Sequence, residues 1–148
     1  MRWTQRAGLT CALLCVAGLC LWLFLASDRR IEERQHARLN ALPDAPLTPF
    51  ASDGCSGGLS TVWTALAEDL PFEACCITHD RVYHAGGAET TARAGYDARL
   101  RADIALQACV AETGGQVIAD AMYQAVRLGG QPCSGLSWRW GYGRAGCP

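Results

Sequence analysis

The sequence predicts a mainly α-helical, disulfide-braced domain, and three observations carry that expectation. Helix-length segments follow one another between proline and glycine breaks. No strand pattern of any length interrupts them. Six cysteines, Cys55, Cys75, Cys76, Cys109, Cys133 and Cys147, fall in the C-terminal two-thirds of the 148-residue chain, a disulfide-type count that implies an oxidising compartment. A reduced domain or a zinc site is the alternative, but no pair shows the C-x-x-C spacing zinc favours.

Residues 7–26 are apolar apart from Thr10 and the cysteines Cys11, Cys15 and Cys20, which behave there as small hydrophobes. Arg2 and Arg6 precede the block, and Asp28, Arg29 and Arg30 come after it. Its length suits a bilayer-crossing helix, and a cleavable signal would be shorter and end in a small-x-small site. Residues 1–27 are therefore expected to be an uncleaved signal anchor, with secretion after cleavage as the alternative. Arginines on both sides leave orientation open. The cysteines outside the block place the domain in the periplasm or extracellular space. Residues 28–49 are charged, with helical spacing of Ile31, Leu39 and Leu42 followed by Pro43, Pro46 and Pro49, and read as a stalk.

The domain is expected over 50–148. A glycine-rich loop, Asp53-Gly54-Cys55-Ser56-Gly57-Gly58, opens it, and a short helical piece around 61–67 comes next. Pro71 suits the start of a helix that Gly86-Gly87 ends. A second long helix is expected from about Thr91 to Glu112, stopped by Gly114-Gly115. A third spans about Gln116 to Leu128, with Val117, Ile118, Ala121, Met122 and Ala125 on one face. The tail, rich in Gly and Trp, reads as irregular and tied by a disulfide. Trp138, Trp140 and Tyr142 are expected in core or loop packing, with a membrane-interface contact as the alternative. A net charge of −1 argues against a nucleic-acid partner.

Cys76, His79, Asp80 and Tyr83 fall at i, i+3, i+4 and i+7, which puts them on one helical face. Polar groups on a buried face need partners or a metal; otherwise His79 and Asp80 face solvent. If Cys75 were bonded to Cys109 across two antiparallel helices, His79 would lie about 6 Å from one cysteine and Asp103 about 9 Å from the other. Both offsets run the same way, so the two side chains would meet as a base and its orienting group. His36 and His84 are expected at the surface, as are Arg81 and Arg93.

Cys75-Cys76-x-x-His79-Asp80-x-x-Tyr83 resembles the secreted phospholipase A2 signature C-C-x-x-H-D-x-C-Y. Asp103, six residues before Cys109, is similar to the aspartate of that family's C-D-x-x-x-x-x-C signature. The loop at 53–58 is similar to its calcium loop. The resemblance covers roughly residues 53–110. Val82 and Ala102 stand where the family has two cysteines bonded to each other, an apolar pair in place of that bridge. The family's loop reads C-G-x-G-G; Ser56 and Leu59 replace two of those glycines, a form closer to the shorter D-G-C-S loop of microbial relatives.

The resemblance implies two antiparallel disulfide-linked helices with a calcium loop. It also implies calcium-dependent hydrolysis of phospholipid acyl esters at a membrane. His79 would be the general base, Asp103 would orient it, and Tyr83 would hydrogen-bond Asp103. Asp80 would bind Ca2+ with the backbone carbonyls of Gly54, Ser56 and Gly58, and the ion would stabilise the oxyanion, helped by a loop N–H near Ser56. Cys55–Cys76 would clamp the loop and Cys75–Cys109 the dyad, leaving Cys133 for Cys147. The alternative is a catalytically inert module on the same fold, binding lipid or a protein partner. A metal-dependent hydrolase of the His-Asp type is more remote, because three histidines are too few.

Overall fold

The computed structural model describes residue 15 and residues 28–55 and 70–147. The expected anchor at 1–27, Cys15 apart, and the short helix at 61–67 lie outside the described residues, as do Ser56 and Gly58. The chain divides into two compact units, 1–32 and 33–148. The second unit contains all six cysteines of the disulfide set.

The described residues are helical or irregular, with no strand among them. Residues 28–40 are helical (α1). Three helices come after it: α2, Glu73–Ala85; α3, Ala92–Gly114; and α4, Gln116–Gly129. Their ends have local causes. Phe72 precedes α2 without a side-chain cap, its carbonyl taking the Cys75 and Cys76 N–H groups, while Glu73 complements the helix dipole. Gly86 closes that helix by donating to the Tyr83 carbonyl at 3.1 Å. Thr91 caps α3, its Oγ1 accepting from Ala94 N at 3.1 Å. Gly115, at φ +86°, makes the turn between α3 and α4.

α3 runs antiparallel to both α2 and α4. The Cys75–Cys109 disulfide and the His79–Asp103 hydrogen bond fix opposite directions for α2 and α3. Gln107 to Asp120 and Arg99 to the Arg127 carbonyl do the same for α3 and α4. Two apolar clusters result. One gathers Cys55, Phe72, Cys75, Cys76, Leu106, Val110, Ala119 and Met122. The other gathers Leu39, Tyr83, Ala102, Trp140 and Cys147. His79 lies in sequence between Cys76 of the first and Tyr83 of the second, and Asp103 between Leu106 and Ala102. The polar pair thus sits where the two cores meet.

The tail folds back over the end of α2. Gly141 N donates to the Tyr83 carbonyl at 2.7 Å, Gly143 N to that of His84 at 3.2 Å, and Trp140 N to that of Gly130 at 2.9 Å. Gly141 has φ +72°, and a Cβ there would meet Leu39 Cδ2 at 2.7 Å, so the close approach requires glycine. The disulfides pair Cys55 with Cys76, Cys75 with Cys109, and Cys133 with Cys147.

Several expectations need correction. Residues 33–49 are part of the compact unit and not a stalk. Leu39 is fully buried against the tail, and Thr48 N donates to the Gly143 carbonyl. His36 and His84 are both buried. His36 packs edge-on to Trp140, and His84 lies between the rings of Phe50 and Tyr142 with Nε2 on the Thr48 carbonyl at 2.8 Å. The tail covers both histidines, which neighbouring polar residues in the sequence do not reveal. On α4 the buried face is rotated: Ala119 and Met122 are buried, whereas Val117 is 84% exposed and Ala121 and Ala125 are exposed. Val82 is also largely exposed while Ala102 is buried. Trp140 is buried in the second core, as loop packing predicts. Finally, no helix among the described residues is long and apolar enough to cross a membrane, which overturns the expected single-pass placement with an external domain. The longest, α3, carries charges at Arg93, Asp97, Arg99, Arg101, Asp103 and Glu112.

Candidate functional site

The site is built on α2 and α3 and completed by α4. His79 sits one turn after the paired cysteines, each of which ties α2 to a different segment. Its Nε2 lies 2.9 Å from Asp103 Oδ1. The Tyr83 hydroxyl donates to the same oxygen at 2.6 Å, and the Tyr83 ring lies against the imidazole with centroids 4.1 Å apart. Arg127 Nη1 donates to the other oxygen, Oδ2, at 2.9 Å. Arg99 Nη2 stands 3.9 Å from that oxygen.

Asp103 is wholly buried, and burial alone would push its carboxyl up. The hydrogen bond from His79, the Arg99 charge and the bonds from Tyr83 and Arg127 outweigh that and hold it below the ordinary carboxylate value. It is therefore an anion, and an anionic carboxylate only accepts. His79 must carry its proton on Nε2, which leaves Nδ1 as the free acceptor. Tyr83 is pushed well above the usual phenol range, first by burial, with Arg99 opposing and Asp103 adding to it. It stays a neutral donor.

The free side of the imidazole faces Asp80, whose Oδ1 is 4.0 Å from His79 Nδ1. Ser52 Oγ donates to Asp80 Oδ2 at 2.5 Å and accepts from Gly54 N at 3.1 Å, which ties the loop to α2. Burial raises the Asp80 carboxyl, the Ser52 bond and His79 lower it, and Asp53 adds a further upward push, for a net rise. His79, Asp80, Asp53 and Gly54 line one cavity of about 70 Å³, whose other walls include Leu106, Met122, Val126 and Trp138. A wider cleft of about 300 Å³ adjoins it through Asp53, Asp80 and Trp138 and is also lined by Ser52 and Tyr142. Tyr142 is pushed up to about 12, by burial and by the Asp80 and Asp53 charges, and its hydroxyl donates to the Ala51 carbonyl at 2.6 Å.

Of the residues singled out in the sequence, His79, Asp103 and Tyr83 are in direct contact, and Asp80 and Gly54 line the cavity beside them. Ser56 and Gly58 lie outside the described residues. No cluster of three or more His, Cys, Asp or Glu side chains is placed for a metal among the described residues. The donors present are carboxylates and loop backbone, hard oxygen ligands of the kind calcium takes. Asp53 brings a second carboxylate into the same cavity as Asp80, so the donor chemistry fits that ion.

Three contributors escape the sequence pattern, Ser52, Arg99 and Arg127, while Trp138, expected in packing, also lines the cavity. Arg99 stands four residues before Asp103, a pairing legible from helix spacing. Arg127 is 24 residues from Asp103 and carries no local signal. Comparison with protein families, characterised proteins and solved structures finds no match to the chain.

Proposed function

We propose that this chain is a calcium-dependent carboxylic ester hydrolase of the phospholipase A2 type, acting on the acyl esters of membrane phospholipids. The observation that carries the reading is the buried Asp103 bonded to His79 Nε2, with Nδ1 left free beside Asp80. The antiparallel helices joined by Cys75–Cys109, and the loop tied down by Cys55–Cys76, support a phospholipase A2-like arrangement.

His79 Nδ1 takes a proton from water as the water oxygen bonds to the ester carbonyl carbon. Asp103 holds the imidazole in the tautomer that makes this possible and balances the imidazolium formed. Tyr83 keeps Asp103 in place. As the C–O bond breaks, the imidazolium returns its proton to the leaving alkoxide, giving a fatty acid and a lysophospholipid. Asp80 and the Gly54 carbonyl, with Ser56 and Gly58 by the resemblance, would hold a calcium ion that supplies polarisation of the ester carbonyl. Leu106, Met122, Val126 and Trp138 offer apolar walls to an acyl chain entering beside His79.

The test is fatty-acid release from phospholipid vesicles by the full chain, with calcium and then with chelator, alongside His79→Gln. Release that chelator stops and the variant lacks is the expected result. Release indifferent to both refutes the reading. No release from a folded, oxidised sample favours the inert lipid- or protein-binding module instead.

A further inference from the structure

The two oxygens of Asp103 are served from different elements. Oδ1 takes the two groups of α2, His79 Nε2 and Tyr83 OH. Oδ2 takes Arg127 from the last turn of α4. Arg127 is itself held on three sides. Its carbonyl accepts from Arg99 Nη2 at 2.7 Å, its guanidinium bonds Asp103, and the same guanidinium lies over the Tyr96 ring, 5.5 Å from the centroid. Arg99, fully buried, also donates to the carbonyls of Val126 and Gly130, so it latches the end of α4 onto α3. The last turn of α4 is thereby placed at Asp103, on the oxygen that α2 leaves open.

We propose that Arg127 is a positioning residue of this site, fixing the Asp103 carboxylate through Oδ2 so that His79 keeps Nδ1 free to act as the base. Two bonds to one oxygen leave a carboxylate able to turn about its Cβ–Cγ bond. A bond to the second oxygen from another helix removes that freedom. A buried carboxylate also needs counter-charge to remain an anion, which Arg127 supplies together with Arg99. Protonated, it would donate to Nε2, drive the imidazole proton to Nδ1 and abolish the base. Arg127 is not itself a wall of the cavity; it acts through Asp103. For its chemistry the inference rests on the hydrolase reading, while the geometry stands without it.

The test compares the full chain with Arg127→Gln, Arg127→Lys and the milder Tyr96→Leu, each checked for folding by near-UV circular dichroism. Two readouts are taken: kcat and KM for calcium-dependent fatty-acid release, and the rate at which phenacyl bromide alkylates His79, followed by peptide mass spectrometry. For Arg127→Gln we expect kcat to fall about 10- to 100-fold, by analogy with removing the outer hydrogen-bond partner of a metal-ligating side chain, with KM within about twofold and alkylation slowed in parallel. Arg127→Lys should recover a large part of both, and Tyr96→Leu should lower both less than the Gln change. A wild-type chain that releases no fatty acid, yet shows His79 alkylation slowed by Arg127→Gln, upholds the positioning role and sinks the hydrolase reading. Unchanged kcat and alkylation in folded Arg127→Gln overturns the proposal. If that variant does not fold, Tyr96→Leu with wild-type values in both readouts overturns it.

Discussion

Replacing Asp103 by Asn changes one atom and sets two effects against each other in the same buried position. The carboxylate accepts from His79, Tyr83 and Arg127, and it neutralises guanidinium groups that are largely or wholly buried. The amide keeps the volume but loses the charge, and its NH2 must face donors on one side or the other. Turned toward Oδ2 it meets Arg127; turned toward Oδ1 it meets Tyr83 and forces His79 to present an unprotonated Nε2. Removing one partner of a buried ion pair costs about 3–5 kcal/mol. Reversing the tautomer beneath a catalytic histidine has cost about 10⁴ in kcat in serine proteases, and a loss on the order of 10³–10⁴ is expected here. The pH dependence is set by the direction of the shift. Asp103 is held below the ordinary value of 3.8 in the folded state. Its stabilisation is therefore complete above that value and is lost as pH falls through the folded pKa. Urea titrations of wild type and Asp103→Asn should show a constant gap near neutral pH that narrows below about pH 3.8. Equal urea midpoints at pH 7, or a kcat within tenfold of wild type, would refute the reasoning.

Two other outcomes are expected from the packing and the charges. Leu39 is fully buried against the tail, so Leu39→Ala should cost about 2–5 kcal/mol in urea denaturation, and a fragment beginning at Phe50 should melt below one beginning at Glu33; equal melting would restore residues 33–49 to a stalk. Asp80 carries a carboxyl that burial pushes up, so its charged form disfavours the fold above its ordinary value. In chelator near neutral pH, Asp80→Asn should be at least as stable as wild type by thermal melting, yet show none of the rise in Tm expected for wild type on adding calcium; a retained rise would exclude Asp80 as the ligand.

Helix ends in this chain are written locally. Thr91 caps the residues after it, Gly86 and Gly115 stop what precedes them, and a few residues are enough to place them. The shared face of Cys76, His79 and Tyr83 is equally local, since helical spacing alone puts them together. Which face is buried is another matter. On α4, Val117, Ala121 and Ala125 form one apolar stripe and Ile118, Ala119 and Met122 another. Only packing against the core that holds Leu106 and Val110 selects the second. Likewise Leu39 reads as part of a stalk, and His36 and His84 as surface residues, because nothing near them in sequence announces the tail that covers them.

The ends of α2, α3 and α4, the cysteine set and the shared face of His79, Asp80 and Tyr83 are legible in the sequence, because caps, turn glycines and i, i+4 neighbours act over a few residues. That Arg127 meets Asp103, that Ser52 meets Asp80 and that the tail buries Leu39 emerges only in the folded chain. Those contacts join segments between 24 and 102 residues apart, here Asp103 with Arg127 and Leu39 with Gly141. Whether such distant groups meet depends on how whole helices pack, and no short stretch of chain carries that information.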